Sequence, residues 1–210
     1  MKKIIVIIFA ALFILSACNS SPQNASKESS PEPTPASLLP NKVAVVVCRD
    51  GYAPSEFHPV MDALAAAGYE AVITSDELGK ADGSDETAEI TATFNDFEGS
   101  DLRGIVVIGG SDSLWDNADL HRLLCEVDDL GRVTAGICLN AVTLAKAGVI
   151  KEGDEACWAN HPTMTDPVMA DLGVIDSGKL VTVSGNVITG NGPPASERFA
   201  TEIVNALDAM

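Results

Sequence analysis

Cys138 is the residue of this chain whose setting most favours chemistry. A run of apolar and small residues, 133–137, predicts a buried strand that leads straight into the cysteine, and a helix is expected to continue to about residue 147. A nucleophile on so sharp a strand-to-helix turn projects from the sheet, and small neighbours make room for the backbone. The start of the helix would also favour thiolate and lower the pKa of the cysteine. The pattern therefore predicts a reactive thiol; the alternative is a buried, inert cysteine at a strand–helix junction.

Two other side chains could assist this thiol. Glu56 lies near the start of a predicted helix, residues 55–67, and a protonated carboxyl there could donate a hydrogen bond to a thiolate or to an oxidised sulfur. Its alternative role is to stabilise the helix dipole. His161 precedes Pro162 in a predicted loop, where its imidazole could act as a base or, when charged, stabilise a thiolate. Its alternative reading is an ordinary, partly exposed loop histidine.

Alternating strands and helices must position these residues. Buried strands are predicted where β-branched residues run together, and helices where apolar residues recur before a glycine. The acidic segment 75–89 is predicted as a surface excursion. The predicted strands are residues 43–48, 71–74, 90–94, 104–108 and 133–137, with a hairpin over 179–183 and 186–189; the other helices are 117–130 and 196–207. This order predicts an α/β fold with a mostly parallel sheet covered by helices on both faces.

The amino terminus carries a separate signal. Two lysines precede an apolar run over residues 4–15, which is typical of a signal peptide and short for a membrane span. Residues 15–18, Leu-Ser-Ala-Cys, match the bacterial lipobox, in which the cysteine receives diacylglycerol; the alternative is an ordinary signal peptide. We therefore predict a signal peptide over residues 1–17 and a lipid anchor at Cys18. These features place the protein at the cell membrane, outside the cytoplasm, and leave the leaflet open.

Composition divides the rest of the chain in two. Residues 18–40, lipidated at Cys18, are rich in Ser, Pro, Asn and Glu and nearly free of large apolar side chains, so they are predicted to form a disordered tether. Residues 41–210 have the length of one domain with a substantial core. The formal net charge of −17 argues against nucleic acid and anionic lipid surfaces as partners.

Cysteine usage is sparse beyond the lipobox. Cys48, Cys125, Cys138 and Cys157 show no CxxC motif and no paired Cys/His spacing, so no metal site is predicted. A compartment outside the cytoplasm permits one disulfide, so the sequence leaves open whether Cys48, Cys125 or Cys157 forms one.

Several segments resemble the DJ-1/ThiJ/PfpI family. Residues 135–149 resemble its nucleophile elbow, residues 105–110 its strand and glycine pair, residues 184–190 its late strand pair, and residues 191–193 the turn that follows. The resemblance runs from Val43 to Ala206. It implies a flavodoxin-like three-layer sandwich related to class I glutamine amidotransferases, with no cofactor.

The resemblance also implies roles for individual residues. Cys138 would be the nucleophile, with Glu56, twelve residues before Gly68, placed against it and His161 as an auxiliary base. The site would be completed by backbone amides that could hold a developing oxyanion, those of Gly109, Gly110 and Leu139.

The elbow departs from the family at three positions. Leu139 stands where protease-like and glyoxalase-like members carry histidine, which disfavours peptidase activity. Asn140 and Ala141 replace glycine and proline, and asparagine is expected to tolerate the unusual backbone angles of an elbow. Beyond the elbow, Asn191 stands where DJ-1 proper carries an arginine after the late strand, so the resemblance does not extend to that anion site.

The sequence predicts cofactor-free hydrolase or glyoxalase-like chemistry at Cys138 on small reactive carbonyl compounds. One alternative is an oxidative-stress sensor or protective protein in which Cys138 is oxidised without turnover. Another is a ligand-binding lipoprotein. The expected partners are a small-molecule substrate or oxidant and, through the anchor, a membrane. The sequence leaves open whether the protein forms a homodimer.

Overall fold

The computed structural model describes residues 39–210. The predicted signal peptide, the lipobox cysteine Cys18 and nearly all of the predicted tether lie outside the described residues. Within the described part of the chain, no helix combines the length and the apolar character needed to cross a membrane.

Eleven strands and five helices make up the described domain. The strands are β1 (Lys42–Val46), β2 (Glu70–Ser75), β3 (Gly79–Asp82), β4 (Thr87–Ile90), β5 (Ala92–Thr93), β6 (Gly104–Val107), β7 (Val133–Ile137), β8 (Glu155–Ala156), β9 (Ile175–Asp176), β10 (Val181–Ser184) and β11 (Val187–Gly190). The helices are α1 (Pro54–Ala66), α2 (Ala118–Asp129), α3 (Ala141–Lys146), α4 (Thr165–Asp171) and α5 (Ser196–Asp208).

Seven of these strands form one central sheet in the order β10-β11-β7-β6-β1-β2-β5. Every neighbouring pair is parallel except β10 and β11, which form an antiparallel hairpin. The central strands β6 and β7 are buried along their whole length. Strands buried on both faces need helices above and below them, which explains their continuous runs of apolar and small residues.

The two faces of the sheet carry separate apolar cores. Ala44 and Val46 of β1 pack with buried residues of α2, α3 and α4, whereas Val43 and Val45 pack with those of α1 and α5. The domain is therefore a flavodoxin-like α/β sandwich of three layers, and the predicted fold class is confirmed.

Two segments differ from the sequence prediction. Residues 75–89 are not a simple surface excursion, because they contain most of the β3–β4 hairpin, whose Ala81 and Ala88 are buried against the α1 side of the sheet. The small size of these buried side chains hides the alternation that marks a strand. The strand predicted over residues 90–94 is shorter, since Asp96 caps Thr93 and turns the chain into a 3-10 helix after β5.

The topology brings the carboxyl ends of four strands together. Strands β1, β6, β7 and β11 run in the same direction, so the residues that follow them lie along one edge of the sheet. In open α/β sheets, this carboxyl edge is the usual location of a binding site. The loop after β6 begins with Gly109 and Gly110, Cys138 directly follows β7, and Asn191 and Gly192 follow β11.

Candidate active site

Cys138 occupies a strained turn between β7 and α3. Its φ is 62°, and it is the one non-glycine residue of residues 39–210 with a positive φ. Such backbone angles cost about 1–3 kcal/mol and persist only where surrounding contacts hold them. Gly136 allows the tight return of the chain, because a Cβ there would lie 2.8 Å from both the Asn140 carbonyl oxygen and Leu144 Cδ1. The structure therefore has the sharp strand-to-helix turn that the sequence predicts at Cys138.

Glu56 reaches this elbow from the first turn of α1. Its side chain is fully buried, and Oε2 accepts a hydrogen bond of 3.0 Å from the backbone N–H of Gly109. The N–H of Ala53 in turn donates to the carbonyl of Gly109 at 2.9 Å, which fixes the start of α1 against the loop after β6.

Gly109 is the spacer between the two functional side chains. A Cβ at this position would lie 2.5 Å from Cys138 Cβ and 2.5 Å from Glu56 Oε2. Real Cβ atoms do not approach other atoms so closely, so glycine is the residue that lets the thiol and the carboxyl meet.

Burial raises the proton affinity of both groups. It raises the pKa of Glu56 to about 7, although contacts with Cys138 and the Gly109 N–H act in the opposite direction. Burial and the negative charge of Glu56 raise the pKa of the Cys138 thiol to about 12, although the Leu139 and Gly110 N–H groups lower it. Glu56 Oε1 is buried and has no hydrogen-bond partner among the described residues.

The depressed pKa predicted for Cys138 from its helix position is therefore wrong. Only a 3-10 turn and the six-residue α3 follow the cysteine, and their N–H groups stabilise the thiolate less than burial and the Glu56 charge destabilise it. The carboxyl and the thiol instead form a pair that carries one negative charge over a wide pH range, because the second charge would be buried beside the first.

The sequence profile of the DJ-1/PfpI family matches residues 41–206. This chain belongs to the DJ-1/PfpI family. It is 27% identical over 212 residues to an uncharacterized protein of Methanocaldococcus jannaschii, an alignment that covers 99% of this chain and 98% of that protein. The family predicted from the sequence is confirmed.

Solved structures of DJ-1/PfpI proteins share the fold. The ThiJ/PfpI domain protein from Brachyspira murdochii is 23% identical with a TM-score of 0.76, and the match covers 82% of this chain and 99% of that one. Oxidized DJ-1 of Toxoplasma gondii is 26% identical with a TM-score of 0.66, and the match covers 79% of this chain and 90% of that one.

Two of the three backbone amides that the sequence assigns to the site interact with the Cys138 sulfur, and their role at an oxyanion stays a prediction. The N–H groups of Leu139 and Gly110 both act on Cys138, and that of Gly109 is used by Glu56. Gly192 is a residue that sequence reasoning did not single out for the site: a Cβ there would lie 3.8 Å from Cys138 Sγ. A glycine after a strand gives no local signal of such a contact.

Asn140 behaves differently from its prediction. Its φ is −90°, so the unusual backbone angle of the elbow falls on Cys138 and not on Asn140. Its buried side chain instead cross-links the elbow, since Nδ2 donates to the carbonyls of Ile108 at 2.7 Å and Ser111 at 3.2 Å.

The structure does not bring His161 to the sulfur. Its backbone N–H donates to Thr165 Oγ1 at 3.0 Å and Asp166 Oδ1 at 3.1 Å, and its ring Nδ1 lies 3.4 Å from Thr163 Oγ1. The side chain is exposed, and the loop meets the elbow two residues earlier, where the Ala159 N–H donates to the Cys138 carbonyl at 3.3 Å. The role of His161 as an auxiliary base stays a prediction.

The other thiols of the described domain are separate from one another. Cys48, Cys125 and Cys157 are all free, as is Cys138. Residues 39–210 also contain no group of three or more His, Cys, Asp or Glu side chains arranged to hold a metal ion.

Proposed function

We propose that this family member uses Cys138 as a nucleophile on small reactive carbonyl compounds, without a cofactor. The observation that carries the proposal is the contact of a thiol on a strained elbow with a fully buried carboxyl, across a glycine that leaves room for both. Elements from distant parts of the chain converge on this contact, and buried groups with perturbed pKa values concentrate at functional sites.

The reaction follows from the groups around the sulfur. The Cys138 thiolate adds to the carbonyl carbon, a C–S bond forms, and the carbonyl electrons move to oxygen. The Gly110 and Leu139 N–H groups, which interact with the Cys138 sulfur, would stabilise the resulting oxyanion. Glu56 supplies the proton that this oxygen takes up, and its carboxylate then removes the proton from the thiohemiacetal carbon and returns it to the adjacent carbonyl carbon, which leaves a thioester on Cys138. Water hydrolyses this thioester, so the C–S bond breaks, a hydroxy acid leaves and the thiol is regenerated.

Turnover of methylglyoxal by the purified protein tests this function. We expect Cys138→Ser to lower kcat/KM at least a hundredfold, because a hydroxyl beside Glu56 is a far weaker nucleophile than a thiol. Full activity in this variant would contradict the proposal. If the wild-type protein shows no turnover but peroxide oxidises Cys138, the oxidative alternative is favoured; if neither occurs, Cys138 is not the reactive group and ligand binding is the alternative left to test.

The oxidative alternative has its own support in the structure. Glu56 Oε1 is buried without a partner, so a sulfinic oxygen on Cys138 would supply one. The similar Toxoplasma gondii DJ-1 has been solved in an oxidized form. In this function Cys138 would sense or consume peroxide instead of turning over a carbonyl substrate.

Peroxide oxidation should reveal whether Glu56 stabilises the product. A hydrogen bond to a charged group contributes about 1.5–3 kcal/mol, which corresponds to an order of magnitude or more in an equilibrium. We expect Glu56→Gln and Glu56→Leu to shorten the lifetime of the Cys138 sulfinate and increase sulfonate. The measurement is peptide mass spectrometry of residue 138 over a peroxide series. Coincident profiles for the three proteins would show that Glu56 does not act on the oxidised sulfur.

We also propose that the protein is anchored outside the cytoplasm through a lipid on Cys18. The lipobox sequence at residues 15–18 supports the proposal. Cys18→Ala should remove lipid labelling and leave the precursor uncleaved, because the thiol is the acceptor of the diacylglycerol. Cys125→Ala is the matched control and should be labelled and processed like the wild type. Normal processing of Cys18→Ala would contradict the anchor.

A further inference from the structure

The Asn140 side chain is held by hydrogen bonds at both its nitrogen and its oxygen. It is completely buried, and its Nδ2 donates to the Ile108 carbonyl at 2.7 Å and the Ser111 carbonyl at 3.2 Å. Its Oδ1 accepts a hydrogen bond of 3.0 Å from Thr143 Oγ1. The nitrogen and the oxygen of the side-chain amide are therefore both hydrogen-bonded, and these bonds fix the orientation of the amide.

These partners flank the residues that act on the sulfur. Ile108 and Ser111 lie directly before and after the pair Gly109 and Gly110. The Gly110 N–H stabilises the Cys138 thiolate, and the Gly109 N–H holds Glu56 Oε2. Asn140, two residues after the nucleophile, thus joins the elbow to both sides of the glycine pair.

The elbow needs such a connection because its backbone is strained. A φ of 62° is unfavourable for a cysteine, so contacts with neighbouring residues must prevent its return to a negative φ. The Leu139 carbonyl accepts a hydrogen bond of 3.0 Å from Trp115 Nε1, which holds this peptide against the core on the α2 and α3 side of the sheet. Neither this bond nor α3 connects the elbow to the glycine pair.

We infer that Asn140 is a positioning residue that holds the glycine pair against Cys138 and thereby sets the reactivity of the thiol. Thr143 orients the amide and acts through it. The inference rests on the proposed role of Cys138 as the reactive group, but it does not depend on whether the natural reaction is carbonyl turnover or oxidation.

Two variants test the inference. Asn140→Ala removes the whole connection, and Thr143→Val removes one hydroxyl without changing the elbow or residue 140. The readouts are the rate of Cys138 alkylation by iodoacetamide at pH 8 and the hydrogen exchange of the Gly110 and Leu139 amides. We expect alkylation to fall about tenfold or more in Asn140→Ala, the effect of losing one hydrogen bond to a charged group, and less in Thr143→Val. In both variants the two amides should exchange faster.

Matched controls separate positioning from general stability. Thr143→Ser keeps the hydroxyl and should restore wild-type alkylation and exchange. Thr134→Val removes an equally buried hydroxyl from β7, whose partner is the Arg132 carbonyl, and should leave Cys138 alkylation unchanged whatever it does to stability. Alkylation of folded Asn140→Ala and Thr143→Val at or above the wild-type rate would overturn the inference.

The amide exchange also separates this inference from the proposed function. If methylglyoxal turnover survives Cys138→Ser, the proposed function fails, yet faster exchange and slower alkylation in Asn140→Ala would still establish the positioning role. Unchanged exchange and alkylation, with turnover that needs Cys138, would overturn the positioning role alone.

Discussion

Gly109→Ala is expected to lower both methylglyoxal turnover and peroxide oxidation of Cys138 more than a hundredfold. The new methyl group would lie 2.5 Å from both Cys138 Cβ and Glu56 Oε2, and 3.0 Å from the Ile137 carbonyl oxygen. The protein can relieve this overlap only by moving the elbow or Glu56, and a displacement of about 1 Å at reacting groups costs on the order of a hundredfold in rate. The free energy of unfolding should fall by about 1–3 kcal/mol, as for other overpacked sites.

Gly131→Ala is the matched control for this substitution. Gly131 has a φ of 66° and no atom within 4 Å of the position that a Cβ would take, so alanine there adds backbone strain without a clash. It should lower the free energy of unfolding by about 1–2 kcal/mol and leave the rates unchanged. Wild-type rates in Gly109→Ala, measured on protein shown to be folded, would mean that the thiol and the carboxyl do not act together.

Local patterns in the sequence predict the framework of this site well. The strand predicted over residues 133–137 is the observed β7, and the residue after it is Cys138, the proposed nucleophile. Continuous runs of β-branched and small residues identify strands that are buried on both faces, because such strands have no polar side. The same reasoning fails for β3 and β4, where small buried alanines alternate with charged residues.

The chemistry of the site depends on contacts that no local pattern contains. Glu56 and Gly109 are 53 positions apart, and Asn140 and Ile108 are 32 positions apart. The sign of the Cys138 pKa shift follows first from burial of the thiol and then from the buried carboxyl that the first contact places beside it. A sequence argument based on helix position alone therefore predicts the wrong direction.

Cys138 and Glu56 are expected to titrate as one unit. The pair loses its first proton with a pKa of about 7 and its second only near 12. Between these values one proton is shared, so the fraction of molecules that hold a thiolate beside a protonated carboxyl does not change with pH. Alkylation of Cys138 should therefore rise up to about pH 7, level off, and rise again toward pH 12.

The measurement is the rate of iodoacetamide alkylation at Cys138 from pH 5 to 11, with Cys125 as the internal reference. In Glu56→Gln the step near pH 7 should disappear and a single rise should remain, centred below 12 because the neighbouring negative charge is gone. The alkylation rate of Cys125 should show the same dependence on pH in the wild type and in Glu56→Gln. If Cys138 gives the same single rise in the wild type and in Glu56→Gln, the two groups are independent and the account of this site is wrong.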